Sequence, residues 1–554
     1  MNFMRSTMHA GLLCLLSWLL ALHGTATAQQ KDNAFEIAKN LDIFATLFKE
    51  LNTYYVDDIN ANRLMQKAID AMLSDLDPYT NYISEDRIED YRTMTTGRYA
   101  GIGATIRTQE GKCVIVLPYE GSPAQRAGLK IGDQITSING VSTAGKSSDE
   151  ISTLLKGQSG TPVEIEILRP TTGERKTFSI KREEIHISNV PYFGMLNEQV
   201  GYIQLSDFTM GASEEVRAAM DSLKRAGAQA FIIDLRNNPG GLLSEAINIV
   251  NLFVPKNELV VSTKGKISEW NKEYYTLNAP YDLESPLVVL VNNRSASASE
   301  IVAGALQDYD RAILIGQRTF GKGLVQVTRP LSYNAQLKVT IAKYYIPSGR
   351  CIQAIDYSVH NADGSLYRIP DSLRRSFKTR AGRMVFDGAG LEPDIVVPAD
   401  SLPEICNYLL QNYYIFNYGV DYAARHTLGK EITLPPEVLE DFIQWLDKQN
   451  FHYATSHEEY VSVLEQQLKE TPDLYASVAE DLSRLKKKLK TDHRQLIRQH
   501  KTCVLELIED ELYKHVYFEK AEALASFDTD REIQKAIELL RDEQKYSFIL
   551  GRSD

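Results

Sequence analysis

None of the 10 histidines of this 554-residue chain lies between His186 and His360. A Ser-His-Asp arrangement built in that stretch would have to import its imidazole from outside it. Cysteine is nearly as scarce: Cys14, Cys113, Cys351, Cys406 and Cys503 are scattered, with no metal-type pairs and no dense framework, so neither zinc nor disulfide stapling is indicated. There is no His-Glu-x-x-His run for metallopeptidase chemistry, and neither a metal nor a cofactor is expected. Positive charge is not in surplus. A formal net charge of −12 argues against nucleic acid as a partner. The apolar run from Leu12 to Leu22 is too short for a comfortable membrane span. With Arg5 ahead of it and Ala26-Thr27-Ala28 behind it, residues 1–28 read as a signal peptide cleaved before Gln29. Export to the periplasm is the expectation, with membrane association if the leader is retained.

What the chain does contain is a pair of motifs 25 positions apart, Asn293-Arg294-Ser295-Ala296-Ser297-Ala298-Ser299-Glu300 and Thr319-Phe320-Gly321-Lys322-Gly323-Leu324-Val325-Gln326. The first follows the β-type run Leu287–Val291 and leads into a helical pattern, which puts its serines at a strand-to-helix junction. Main-chain N–H groups at such a helix start are free to bind an anion. A serine there can attack a carbonyl while a neighbouring amide holds the oxyanion, given a base. Lys322, between two glycines, is the alternative to the missing histidine, because a buried lysine can lose its charge and act as a base near neutral pH. Taken singly, each motif fits an ordinary capped helix or a hairpin with a solvated lysine; together they point to a Ser-Lys mechanism.

These residues resemble the carboxy-terminal processing peptidases, or tail-specific serine proteases, over most of the chain up to about residue 400. The resemblance implies that Ser297 is the nucleophile, Lys322 the general base and Gln326 the residue orienting the lysine. Ser295 and Ser299 are then capping or supporting hydroxyls. A third motif, Asp234-Leu235-Arg236-Asn237-Asn238-Pro239-Gly240-Gly241, ends a buried strand in a Pro-Gly-Gly turn. By resemblance, Gly240 or Gly241 supplies one oxyanion-hole amide and Ala298 the other; the sequence does not choose between the glycines.

Residues 97–182 resemble a PDZ domain through Tyr99-Ala100-Gly101-Ile102-Gly103-Ala104 and Gly121-Ser122-Pro123-Ala124 to Gly132-Asp133. Successive N–H groups at Gly101, Ile102 and Gly103 form a nest suited to a chain-terminal carboxylate, while the substrate adds as an extra strand. Arg169 is a candidate for coupling a loaded PDZ domain to the protease core, by similarity; a solvated strand-end charge is the bland alternative.

The expected fold is an α/β multidomain chain, a PDZ domain plus an α/β serine protease core of the tail-specific type, with helical N- and C-terminal regions. Its segments are 1–28 leader, 29–94 N-terminal helical region, 95–185 PDZ domain, 186–400 protease core and 401–554 C-terminal helical extension. In the N-terminal region Ile37, Leu41, Phe44 and Leu47 form an amphipathic stripe. His360 to Arg383 reads as a surface insertion with five arginines. The apolar positions Tyr475, Val478, Leu482, Leu485 and Leu489 form another stripe, which packs on its own chain or on a second subunit. The expected function is an exported serine endopeptidase that recognises the C-terminal tail of protein substrates and cleaves through an acyl-enzyme. The alternatives are a PDZ-containing binding or scaffold protein with an inactive protease domain, and an acyl-transfer enzyme acting on small molecules. Partners would be proteins or peptides with apolar C-termini, an adaptor or regulator, and a second copy through the C-terminal helices.

Overall fold

Three apolar runs, Ala230–Asp234, Leu287–Val291 and Ile313–Gly316, are buried at every position because they form the middle of a sheet covered on both faces. In the computed structural model they belong to a six-stranded sheet ordered Tyr192–Met195, Val200–Gln204, Ala230–Asp234, Leu287–Val291, Ile313–Gly316, Ile395–Val396. The first pair is antiparallel and the remaining four pairs are parallel. The structure describes residues 34–552 apart from 362, 364, 400 and 528, so the leader at 1–28 lies outside the described residues.

Side chains alternate strictly across this sheet, as the strand period of two requires. Phe231, Ile233, Val289 and Leu314 pack with helices Ala212–Arg225, Leu243–Phe253 and Ala298–Asp308. Ile232, Val288, Leu290, Ile313 and Ile315 point the other way, onto Ile533, Ala536, Ile537, Leu539 and Tyr546 of helices Arg531–Arg541 and Glu543–Ile549. The end of the chain therefore forms the second helical layer of the protease core. The rest of the region beyond residue 400 is a separate cluster, in which helices Glu404–Gln411, Tyr414–Arg425, Val438–Lys448, His493–Gln499 and Lys501–Tyr517 share one apolar core. The stripe at 475–489 lies on helix Pro472–Leu489, which packs against Ser456–Lys469; its Leu482 is buried there.

A five-stranded antiparallel path runs Ala104–Gln109, Lys112–Pro118, Gln134–Ile138, Pro162–Arg169, Glu174–Lys181. Helix Ser148–Leu155, opened by a Ser147/Glu150 capping box, buries Ile151 and Leu155 against it. The outer face of this sheet docks on helix Tyr414–Arg425, where Val114 and Ile131 meet Phe416. There the Arg107 guanidinium lies 3.7 Å from the Tyr413 ring centre and 3.9 Å from that of Phe416. A cation over two rings is a stronger tie than a rim charge.

The segment expected as a surface insertion is largely exposed and is also anchored to the core. Arg383 bonds Asp310 at 2.6 Å and Asp394 at 2.5 Å, Arg374 bonds Glu392 at 2.6 Å and Arg380 bonds Glu258 at 2.6 Å, so three of its five arginines fasten it to the core.

The chain divides into two units, Met1–Tyr82 and Ile83–Asp554. Within the first, helices span 34–54 and Ala61–Ser74. Ile37, Leu41, Phe44 and Leu47 are all exposed, and Leu73 is the one buried apolar residue among the unit's described residues.

Candidate active site

The site forms where two neighbouring parallel strands end. Ala230–Asp234 runs into the Leu235–Gly241 turn and Leu287–Val291 runs into the Asn292–Ser297 loop. The carboxyl ends of adjacent parallel strands are the usual crevice of open α/β sheets. Here the two loops are stitched tightly. Ser295 Oγ donates to the Leu235 carbonyl at 2.8 Å, Ser299 Oγ to the Asn238 carbonyl at 3.0 Å, and the Ala296 N–H to the same Asn238 carbonyl at 3.0 Å. Ser295 and Ser299 are fully buried by these bonds, whereas Ser297 is half-buried. The middle serine is thus the one presented.

Ser297 caps helix Ala298–Asp308 with φ 56° and ψ −113°. A non-glycine residue at positive φ stores on the order of 1–3 kcal/mol of backbone strain and persists only where its surroundings enforce it. Part of that enforcement is Gly240, at φ +93°: a Cβ there would lie 2.6 Å from the Ala296 oxygen and 2.7 Å from the Ala298 nitrogen. Only glycine permits the turn to approach the helix start so closely.

The two glycines of the turn differ in what their N–H groups do. Gly240 donates to Asn238 Oδ1 at 2.8 Å. Gly241 faces Phe208 in a parallel bridge, and the bond made there is from the Leu242 N–H to the Phe208 carbonyl, at 2.8 Å, which leaves the Gly241 N–H outside it. Ala298 opens the helix, where an N–H has no intrahelical acceptor.

The Gly321–Gln326 stretch is brought to this point by Glu300, a residue of the serine motif whose role the motif alone does not reveal. Its buried carboxylate accepts the Ser297 N–H at 2.9 Å, the Lys322 N–H at 2.9 Å, the Gly321 N–H at 2.7 Å and the Thr319 hydroxyl at 2.5 Å. Burial pushes the Glu300 carboxyl up to about 7, against the opposing pull of these four donors. The Ser-x-x-Glu spacing of a capping box was the available signal. Tyr344, from strand Gln336–Tyr345, gave no local signal; its hydroxyl lies 2.6 Å from the Lys322 carbonyl and 3.2 Å from that of Ser297.

Lys322 is partly exposed. Gln326 follows a bulge in the pairing of Leu324–Pro330 with Gln336–Tyr345, and its Nε2 donates to Thr340 Oγ1 at 3.2 Å.

In the PDZ-like segment, Gly103 adopts φ +74° and a Cβ there would lie 2.5 Å from Ser122 Cβ. The Ile102 carbonyl accepts the Ala124 N–H at 2.8 Å and the Gly103 carbonyl accepts the Tyr119 N–H at 2.9 Å. Burial raises the pKa of the Tyr99 hydroxyl, while the amides of Ala104 and Gly103 act on it in the opposite sense. Arg169 lies in the same segment. It bonds both oxygens of the buried Asp133 at 2.7 Å and the Gly128 carbonyl at 3.3 Å.

Three stretches of the chain match known families. Residues 199–360 match the model of peptidase family S41, residues 114–169 a PDZ domain, and residues 405–540 the model described as "Probable PDZ-protease, C-terminal helical domain". A "Carboxy-terminal-processing protease" of Bartonella bacilliformis is 34% identical over 341 residues, which is 61% of this chain and 77% of that one. A "Probable CtpA-like serine protease" of Staphylococcus aureus is 37% identical over 316 residues, 56% of this chain and 62% of its own length. Among solved structures, the photosystem II D1 C-terminal processing protease aligns at 27% identity with a TM-score of 0.34, covering 65% of this chain and 93% of its own. The chain belongs to the carboxy-terminal-processing protease family and is a serine-type peptidase.

Proposed function

We propose that the chain is an exported endopeptidase that captures the C-terminal tail of a protein substrate on its PDZ domain and cleaves the preceding segment by a Ser-Lys mechanism. In this reading the neutral amine of Lys322 takes the Ser297 hydroxyl proton as Oγ attacks the scissile carbonyl carbon. The N–H groups of Ala298 and Gly241 hold the oxyanion, since the Gly240 N–H is already committed to Asn238. The tetrahedral intermediate collapses to an acyl-enzyme as the departing amine receives the proton from Lys322, and water then releases the acid. Gln326, tied through Nε2 to Thr340, keeps its carbonyl oxygen available to orient the lysine. The observation that carries the reading is the common Glu300 carboxylate holding the main chains of Ser297 and Lys322.

Gly101, Ile102 and Gly103 are assigned the tail carboxylate. Arg169 is kept as the link from a loaded PDZ domain to the protease core; its bond with Asp133 would have to open for it to act outward. Export rests on the leader at 1–28; among the described residues no helix is long and apolar enough to cross a membrane. A second copy or an adaptor would act at the exposed Tyr460, Val463 and Leu464 of the Ser456–Lys469 helix, and chain mass by light scattering tests the dimer.

The deciding experiment is cleavage of an unfolded protein with an apolar C-terminus, comparing the chain with its Ser297→Ala variant and a free with an amidated tail. Loss in the variant together with a reduced rate on amidation is the expected result. Tail binding without cleavage would favour a scaffold, and cleavage surviving in Ser297→Ala would remove the nucleophile.

A further inference from the structure

The peptide groups of Ser297 and Lys322 are held from both sides. On the N–H side the Glu300 carboxylate accepts from both residues at 2.9 Å. On the carbonyl side the Tyr344 hydroxyl reaches Lys322 O at 2.6 Å and Ser297 O at 3.2 Å. Glu300 belongs to the helix that Ser297 caps. Tyr344 belongs to neither loop: it is the penultimate residue of the strand Gln336–Tyr345, is 1% exposed, and is fixed at its own main chain by a 2.9 Å bond from its N–H to the Gly323 carbonyl.

We infer that Tyr344 is a positioning residue for the reaction, its hydroxyl setting the separation of the nucleophile's loop from the base's loop. The inference rests on the reading of Ser297 and Lys322 as nucleophile and base. A phenol has one proton to donate, so the two contacts are unequal, and the shorter one marks the Lys322 carbonyl as its principal acceptor. The Ser297 carbonyl has further support, since it accepts the Ile301 N–H at 2.9 Å within its helix. Removing the hydroxyl therefore loosens the base much more than the nucleophile. A displaced base matters because a shift of about 1 Å in a reacting group can cost on the order of 100-fold in rate. A loosened lysine is also better hydrated, which favours its charged form. Glu300, the other titratable group at the clamp, is unchanged by the substitution.

The test is Tyr344→Phe in the full chain, which keeps the ring that fills the core. Three quantities are read: the second-order rate of Ser297 labelling by a fluorophosphonate across pH 6–10 (about four units, spanning the ordinary lysine titration), the affinity for a tail peptide, and the melting temperature. The expected result is a labelling rate about 10- to 100-fold lower at neutral pH, a deficit that narrows as pH rises, and unchanged tail affinity. Wild-type labelling throughout overturns the inference. So does a loss by the same factor at every pH accompanied by a lower melting temperature, because that is the signature of packing alone. If the Phe variant melts below the assay temperature, Glu300→Gln must show the same alkaline displacement, and a wild-type profile there overturns the inference as well. Labelling that survives Ser297→Ala or Lys322→Ala strikes the nucleophile or base assignment instead, and is read separately.

Discussion

Glu300 ties two requirements together that oppose each other. To accept hydrogen bonds from Ser297, Gly321, Lys322 and Thr319 its carboxylate must be ionised, yet it is completely buried and burial raises its pKa from 4.5 to about 7. At 1.36 kcal/mol per pKa unit this rise corresponds to roughly 3 kcal/mol. The sign follows from linkage: a carboxyl whose pKa is higher in the folded state binds more protons folded than unfolded. Its contribution to stability is fully present below the unfolded value near 4.5 and is lost as pH rises through about 7. Glutamine at 300 cannot titrate, so the stability difference between the parent and Glu300→Gln should change between pH 5 and pH 8 by about 2–3 kcal/mol, the parent losing ground as pH rises. The measurement is denaturant unfolding at both pH values in a Ser297→Ala background, which prevents self-digestion and cancels every other carboxyl in the double difference. A difference that is the same at pH 5 and pH 8 would refute the argument, because the carboxylate would then be ionised in the fold at an ordinary cost.

Tyr99→Phe removes the hydroxyl on which the Gly103 and Ala104 amides act electrostatically; if those amides are thereby freed, tail peptide should bind about 2- to 10-fold tighter by fluorescence anisotropy, the worth of one net hydrogen bond. Arg236→Ala leaves Asp234, Asp530 and Glu532 without the guanidinium that bonds them at 2.5, 2.6 and 3.2 Å. Uncompensated buried carboxylates cost about 3–5 kcal/mol, so the melting temperature should fall steeply at pH 8 and less at pH 5, where protonation relieves the raised Glu532 carboxyl. Ile533→Ala, at a residue 1% exposed on the far face of the sheet, should cost about 2–5 kcal/mol in unfolding. Arg107→Ala empties the space between Tyr413 and Phe416 and should raise hydrogen exchange in strand Lys112–Pro118 while leaving the protease sheet protected.

Legibility in the sequence followed how local the determining interactions are. Ser297, Lys322 and the Pro-Gly-Gly turn stand out because chemistry and backbone conformation restrict those positions to few residue types. Two of the central strands, Ala230–Asp234 and Leu287–Val291, were legible because strands buried on both faces read as unbroken apolar runs. Which glycine N–H is already bonded was not, since that depends on Asn238 Oδ1 and on Phe208, which is remote in sequence. Tyr344 was hidden for the same reason: a tyrosine in a strand has no periodic or motif signal, and its partners lie 22 and 47 residues away. That Arg374 and Arg383 are anchors was not legible, because their carboxylates, Asp310, Glu392 and Asp394, are brought beside them only by the fold.

The far end of the chain bears directly on the Pro239-Gly240-Gly241 turn. Helices Arg531–Arg541 and Glu543–Ile549 cover one face of the catalytic sheet, and without them Ile232, Val288, Leu290, Ile313 and Ile315 would meet water, each at a cost of about 1.5–3 kcal/mol. The same segment supplies Asp530 and Glu532 to Arg236, whose guanidinium also grips Asp234 at the end of the strand. Glu532 takes Gln317 Nε2 as well, at 2.6 Å, so one carboxylate touches the turn carrying Gly240 and Gly241 and the loop leading to Lys322. Arg236 stands only two residues before Asn238, whose side chain fixes the Gly240 N–H. A change at the chain's C-terminal helices can therefore reach the Gly240-Gly241 turn through one arginine and one asparagine, without passing through the PDZ domain.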